Sequence, residues 1–193
     1  MLFTHHPQVL QRIAGWDGCG PFLTGGLRCI TWNTRGLIGS VVSKQKNREF
    51  KFKYLKRLFD ANNILCLQEV LGKDEYHQAI QVLAPRLRFF GTFIPDNENA
   101  GGSAICIHRD LLPEEAIVTH LITCQGRDRL VNIQSGRHNL VIVNVQFEPE
   151  LTLRQLRGRL VLIHPHWPAY PNGVGIILGD LNICDPEEGR LNV

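Results

Sequence analysis

Apolar and polar positions along this chain change period from one stretch to the next, and that change predicts its elements. Residues 27–32 and 64–69 are short, mostly apolar runs of strand length, each followed closely by a polar side chain. Between them, residues 44–59 place Phe50, Tyr54 and Leu58 four positions apart, which predicts a helix with those three on its buried face. A second helix is expected around residues 74–84. Helices set between buried strands imply an α/β layered domain. Beyond the Gly101-Gly102 turn the pattern becomes one of consecutive strands at 103–108, 117–123, 129–134 and 139–147, as expected for hairpin-linked, mixed sheets. Residues 151–163 then read as a helix with Leu153, Leu156, Leu160 and Ile163 on one face, followed by a Pro-rich loop and a strand at 175–178. Residues 1–26, rich in Gly and without sustained periodicity, read as an N-terminal extension, and residues 27–193 as one domain.

Composition narrows the class. With 193 residues and 44% apolar content the chain can bury one sizeable core. Its longest apolar runs fall far short of the roughly 20 residues that span a bilayer, so no membrane helix is expected. No Lys or Arg precedes Arg12, and the start lacks the pattern of a secretory signal. Six cysteines, at 19, 29, 66, 106, 124 and 184, form no C-x-x-C pair, which suits a reducing, intracellular setting, with the nucleus as one option. The net charge of +3 permits a phosphate-bearing partner.

The candidate chemistry sits at strand ends. Asn33 closes the first strand run, Glu69 the second, and Asp180 with Asn182 follows the last in Gly179-Asp180-Leu181-Asn182. Taken singly, an Asn or Asp after a strand is ordinary turn chemistry. As a set they carry what phosphodiester hydrolysis needs. Glu69 suits a hard, oxygen-seeking ion such as Mg²⁺, or Mn²⁺ in its place. Asp180 can orient and activate a water. The two amides can hydrogen-bond a phosphate or the Asp without adding negative charge.

The motifs that carry these residues are Thr31-Trp32-Asn33-Thr34-Arg35-Gly36-Leu37, Leu67-Gln68-Glu69-Val70, Gly101-Gly102-Ser103-Ala104, Val143-Asn144-Val145 and Gly179-Asp180-Leu181-Asn182. In their order the chain resembles the endonuclease/exonuclease/phosphatase family, the DNase I-like and apurinic-endonuclease-like phosphodiesterases. Within it the chain looks most like the endonuclease domains of non-LTR retrotransposons, which nick DNA to expose a 3′-hydroxyl that primes reverse transcription. The resemblance implies a four-layer α/β sandwich of two mixed β-sheets flanked by helices. It also implies Mg²⁺-dependent hydrolysis of DNA, with Glu69 as metal ligand and Asn33, Glu69, Asp180 and Asn182 as catalytic residues. Asn144, Gln146 and Arg35 would line the site and meet the substrate, and the chain would be part of a larger polyprotein.

Relatives carry a later Asp and a Ser-Asp-His element, whereas the last histidine here is His166 and eleven residues follow Asn182. The expectation is therefore a domain whose second sheet lacks its closing strands and whose turnover is weak or absent. Where many relatives have Tyr or His, this chain has Gln146, which can hydrogen-bond but not titrate. Two alternatives stay open: a non-catalytic remnant that binds nucleic acid or protein, and a family phosphatase or RNA nuclease with another phosphoester substrate. Seven basic residues between Lys44 and Arg57 read as a solvated helix face, or as a surface that tracks a nucleic-acid backbone. His164-Pro165-His166-Trp167 reads as a loop anchored by Trp167 rather than a metal site.

Overall fold

Strand runs with a period of two need a partner surface on each apolar face, and here each of two sheets finds one partner in the other sheet and one in a helix. The computed structural model describes residues 27–37, 45–72, 80–81, 84–95, 97, 100–149, 151–168 and 173–182. In chain order the elements are β1 (Cys29–Asn33), α1 (Gln45–Ala61), β2 (Ile64–Gln68), β3 (Leu87–Thr92), β4 (Ser103–His108), β5 (Ile117–Cys124), β6 (Asp128–Ser135), β7 (His138–Gln146), α2 (Leu153–Ile163) and β8 (Gly173–Asp180). The first sheet has the order β1-β2-β4-β3, with β1 parallel to β2 and the other pairs antiparallel. The second has the order β5-β6-β7-β8, with only β7 and β8 parallel. Both sheets are mixed.

Alternation along the strands builds three apolar layers. Ile64, Cys66, Phe90, Ile105 and Ile107 of the first sheet meet Val131, Ile133, Leu140, Ile142 and Ile176 of the second. On the far side of the first sheet, Leu65, Leu67, Phe89 and Cys106 pack against Leu55, Leu58 and Phe59 of α1. On the far side of the second, Leu130, Val141, Val143 and Val145 pack with Ile163 of α2. The order is thus helix, sheet, sheet, helix. Cys29, Cys66 and Cys106 are buried and reduced within these layers. Burial pushes the Cys29 thiol up to about 12, and the Cys66 thiol well above its ordinary value, so these sulfurs act as small hydrophobes.

Three expectations need correction. β3 was not foreseen, because Leu87, Phe89, Phe90, Gly91 and Thr92 are all buried and the run shows no alternation. Phe50 is 70% exposed, and the buried stripe of α1 runs through Leu55, Leu58 and Phe59, with Tyr54 edge-on to Trp32 at 5.3 Å. In α2, Leu153 is 74% exposed and Leu160 39%, while only Ile163 is buried. The inward stripe of this helix is instead Leu156, Arg159 and Ile163, turned about one position around the helix by an arginine that apolar periodicity cannot register. Ile80 and Gln81 are helical, and the rest of the helix expected at 74–84 lies outside the described residues, as do residues 1–26.

Arg159 is what ties α2 to the second sheet. Its guanidinium makes a fork on Asp128, which is 1% exposed, with Nε to Oδ2 and Nη2 to Oδ1 both at 2.5 Å. Nη1 donates to Glu148 at 3.0 Å, and the group lies over Phe147, 5.2 Å from its centroid. Burial pushes the Asp128 carboxyl above its ordinary value, and Arg159 with the Gln146 N–H opposes that push. Replacing Arg159 by Met keeps the stem and strands the carboxylate. Arg159→Met is therefore expected to lose about 3–5 kcal/mol at neutral pH by urea unfolding. The Asp128 carboxyl of that variant is protonated more readily folded than unfolded, so the deficit shrinks as the pH falls. A deficit independent of pH between 4 and 7.5 counts against this account.

Candidate active site

The inward positions of the strands turn from apolar to polar toward one common end. Along β1 they run Cys29, Thr31, Asn33; along β2, Ile64, Cys66, Gln68; and along β4, in the reverse direction, Ile107, Ile105, Ser103. In the second sheet they run Leu140, Ile142, Asn144, Gln146 on β7 and Val174, Ile176, Leu178, Asp180 on β8. The register sets Asn33 beside Gln68, Gln68 beside Ser103, and Gln146 beside Asp180. The sandwich is dry at one end and lined with amides and acids at the other.

Asn33 joins the two sheets there. Its Oδ1 accepts the Arg35 N–H at 3.1 Å, closing the turn that follows β1. Its Nδ2 donates both to Glu69 Oε1 at 2.9 Å and to Asp180 Oδ2 at 3.1 Å. A backbone N–H only donates and a carboxylate only accepts, so these partners fix which end of the amide is nitrogen. The turn chemistry and the site chemistry use opposite ends of one side chain.

Local backbone geometry presents these groups. Glu69 has φ of +50°, a left-handed conformation unusual for a residue with a Cβ, directly after β2. Its carbonyl accepts the Thr34 hydroxyl at 2.8 Å and the Gly36 N–H at 2.7 Å, which stabilises the bend and frees the carboxylate to turn toward Asn33. Gly179 has φ of +144°, and a Cβ there would lie 1.9 Å from the Val145 carbonyl oxygen, so only glycine fits before Asp180. Lys51 of α1 donates to the carbonyls of Arg35 and Gly36 at 2.7 and 3.1 Å, holding the loop that carries exposed Arg35 beside the site.

The other predicted residues fall in different shells. Gln146 is 4% exposed and its Nε2 points to Glu69 Oε1 at 3.4 Å. Asn182 is near Asp180 in the chain, but its Nδ2 donates to the Phe147 carbonyl at 2.7 Å and makes no hydrogen bond to the other three acid and amide groups. Asn144 is fully buried beneath the site. It donates to the carbonyls of Leu67 and Ala104 at 2.9 Å each and accepts from Gln68 Nε2 at 2.6 Å. Gln68, Thr31 and the Asp128–Arg159 pair support the site and were not singled out from sequence. For Gln68 the signal was available: a polar residue at the inward position of an otherwise apolar strand.

Two carboxylates and two amides at the mouth of a dry sandwich form an oxygen-rich donor set of the kind a hard divalent cation takes with one or two protein carboxylates. Among the described residues Glu69 Oε2 accepts no hydrogen bond, and no cluster of three or more His, Cys, Asp or Glu occurs. Glu69 is the residue of this set that could hold such a cation.

Two mixed sheets face to face between helices, with acids and amides at one end, define the DNase I-like architecture. Solved structures share it. The AP endonuclease LMAP from Leishmania major superimposes with a TM-score of 0.60 at 17% identity, over 81% of this chain and 55% of that one. TDP2 from D. rerio, complexed with a single strand DNA product, gives 0.55 at 18% identity, over 83% and 62%. The endonuclease domain of TRAS1, a telomere-specific non-LTR retrotransposon, gives 0.51 at 11% identity, over 82% and 60%. The chain thus spans less than two thirds of each of these three. The sequence pattern of the Endonuclease/Exonuclease/phosphatase family matches residues 30–192, and the chain belongs to that family. No curated protein sequence matches it.

If Asn33 is the neutral spacer between two acids, an isosteric acid in its place must fail in a defined way. Asn33→Asp keeps the acceptor for the Arg35 N–H but puts three carboxylates together with no donor among them. Melting at pH 7.5 without divalent ions is expected to drop by the equivalent of about 1–3 kcal/mol. A variant as stable as the parent would contradict this role.

Proposed function

We propose that this protein is a Mg²⁺-dependent phosphodiesterase acting on DNA, an endonuclease of the retrotransposon type. The observation that carries the reading is the Asn33 amide bonded at once to Glu69 on the first sheet and Asp180 on the second. That contact draws a metal-binding acid and a water-activating acid to one point without forcing two bare negative charges together.

The geometry supports the following roles. Glu69 would hold a divalent cation, which would supply Lewis-acid screening of the phosphate and of the leaving oxygen. Asp180 accepts a proton from a water aligned with the scissile phosphate, and Asn33 Nδ2 keeps the Asp180 carboxylate pointed. Asn182, anchored through Phe147, fixes the chain just past Asp180, and the exposed Arg35 is placed to meet a phosphate oxygen. Gln146 lines the floor beside Glu69, while Asn144 holds the two sheets at working distance. DNA is favoured as substrate by the positive surface of α1, where Lys53, Lys56 and Arg57 are exposed on the helix that holds the Arg35 loop through Lys51. A DNA substrate suits an intracellular setting, with the nucleus as one option, and a chain that is one part of a polyprotein that uses the nick.

Nicking of supercoiled plasmid tests this. Relaxed circles are expected with Mg²⁺ and Mn²⁺, none with EDTA, and at least a hundredfold less with Asp180→Ala or Glu69→Gln. Absence of nicking by folded protein in Mg²⁺ and in Mn²⁺ overturns the endonuclease reading.

A further inference from the structure

The amide oxygen of Gln146 is among the buried atoms left without a partner beside the site. Among the described residues the Gln146 Oε1 atom is buried and makes no hydrogen bond, although the residue is 4% exposed. A buried amide oxygen in that state is destabilising, and a side chain normally turns to relieve it. The terminal amide of Gln146 keeps its rotation, while the backbone of the residue is fixed. Its N–H donates to Asp128 Oδ1 at 3.1 Å, and its carbonyl accepts from Arg159 Nη2 at 3.2 Å. The buried ion pair of α2 therefore clamps the backbone of Gln146 from behind. In front, its Nε2 reaches Glu69 Oε1 only at 3.4 Å, the longest of the contacts to that carboxylate. The clamp also fixes the next residue, since Phe147 donates to the Asp180 carbonyl at 2.9 Å.

We infer that Gln146 is a cation-site residue: its amide oxygen is a neutral partner for the shell of the divalent ion held by Glu69, kept in place by Asp128 and Arg159. This rests on the functional reading above and deepens it. An amide can offer either edge. Facing a bare Glu69 carboxylate it offers N–H, weakly, and with a cation on Glu69 the oxygen edge becomes the favourable one, toward the ion or a water it carries. A neutral oxygen suits a site that already has two acids nearby, because it adds a ligand atom without adding repulsion. The orphaned oxygen is thus a polar group whose partner arrives with the ion.

The inference predicts opposite signs for stability and for ion binding. Gln146→Leu removes the orphan, so melting without divalent ions is expected to rise by about 2–4 °C. The same variant should bind Mg²⁺ or Mn²⁺ at least tenfold more weakly in calorimetric titration of the full chain, in the range typical of groups that support a metal ligand. Gln146→Glu should do the reverse, melting lower without ions and binding them at least as tightly as the parent. Glu69→Gln is run alongside. If the parent binds neither ion, or binds them equally well as Glu69→Gln, the proposed metal site itself fails. If the parent binds through Glu69 and Gln146→Leu binds within twofold of it, only the role of Gln146 is overturned, whatever the melting shows.

Discussion

Everything at the polar end of the sandwich depends on one buried amide, that of Asn144. A β-sandwich held together by apolar contacts alone fixes the spacing of its sheets but tolerates sliding between them, because dispersion and hydrophobic burial have little direction. Asn144 supplies direction. It stands on the second sheet with both amide hydrogens on carbonyls of the first and its oxygen on Gln68. A slip of one sheet over the other leaves these groups unpaired in a water-free layer, which makes the alignment sharply defined. Only with that alignment fixed can Asn33, on β1, meet Asp180, on β8.

The site then solves an electrostatic problem with neutral groups. Glu69 and Asp180 both converge on the Asn33 amide, and among the described residues the other side chain that donates to them is the Gln146 amide rather than a lysine or arginine. A cationic side chain in the same place would hold the acids more firmly and compete with a metal ion for them. Amides hold them loosely enough to be exchanged. The permanent positive charges lie one layer away: Arg159 behind Gln146, paired with Asp128 and Glu148, and Lys51 on carbonyls of the Arg35 loop. They fix backbone and leave the reactive oxygens to be neutralised by whatever binds.

How much of this was legible from the sequence depends on whether a residue's role shows in a period. Strands such as β2 and β7 are legible because burial on both faces or alternation writes itself into the residue pattern. The order of the motifs around Asn33, Glu69 and Asp180 pointed to strand ends in one crevice, and the hydrogen bonds of Asn33 bring those three together. β3 was missed since Gly91 and Thr92 are buried without being apolar. The face of α2 was misjudged because its central contact is an arginine, and its ion pair with Asp128 spans 31 positions of sequence that no local pattern connects. Asn144 was read as lining the site, while its depth, which makes it a tie between sheets, is a property of three-dimensional packing.

That division also explains where the structure departs from rule. Strained or unsatisfied features are present at the site: the left-handed backbone at Glu69 and Asn182, the glycine forced at 179, and the orphaned oxygens of Ser103 and Gln146. Buried oxygens without a partner also occur away from it, at Thr123, Asn132 and Asn139. A fold under selection for stability alone would replace Gln146 with an apolar residue and let Glu69 relax. Retaining both needs a compensating stiffness nearby, and the forked Arg159–Asp128 pair, set into the sheet just behind, provides it. The polar end is held from outside the sandwich, by a helix whose apolar face alone would not have been enough to fix it.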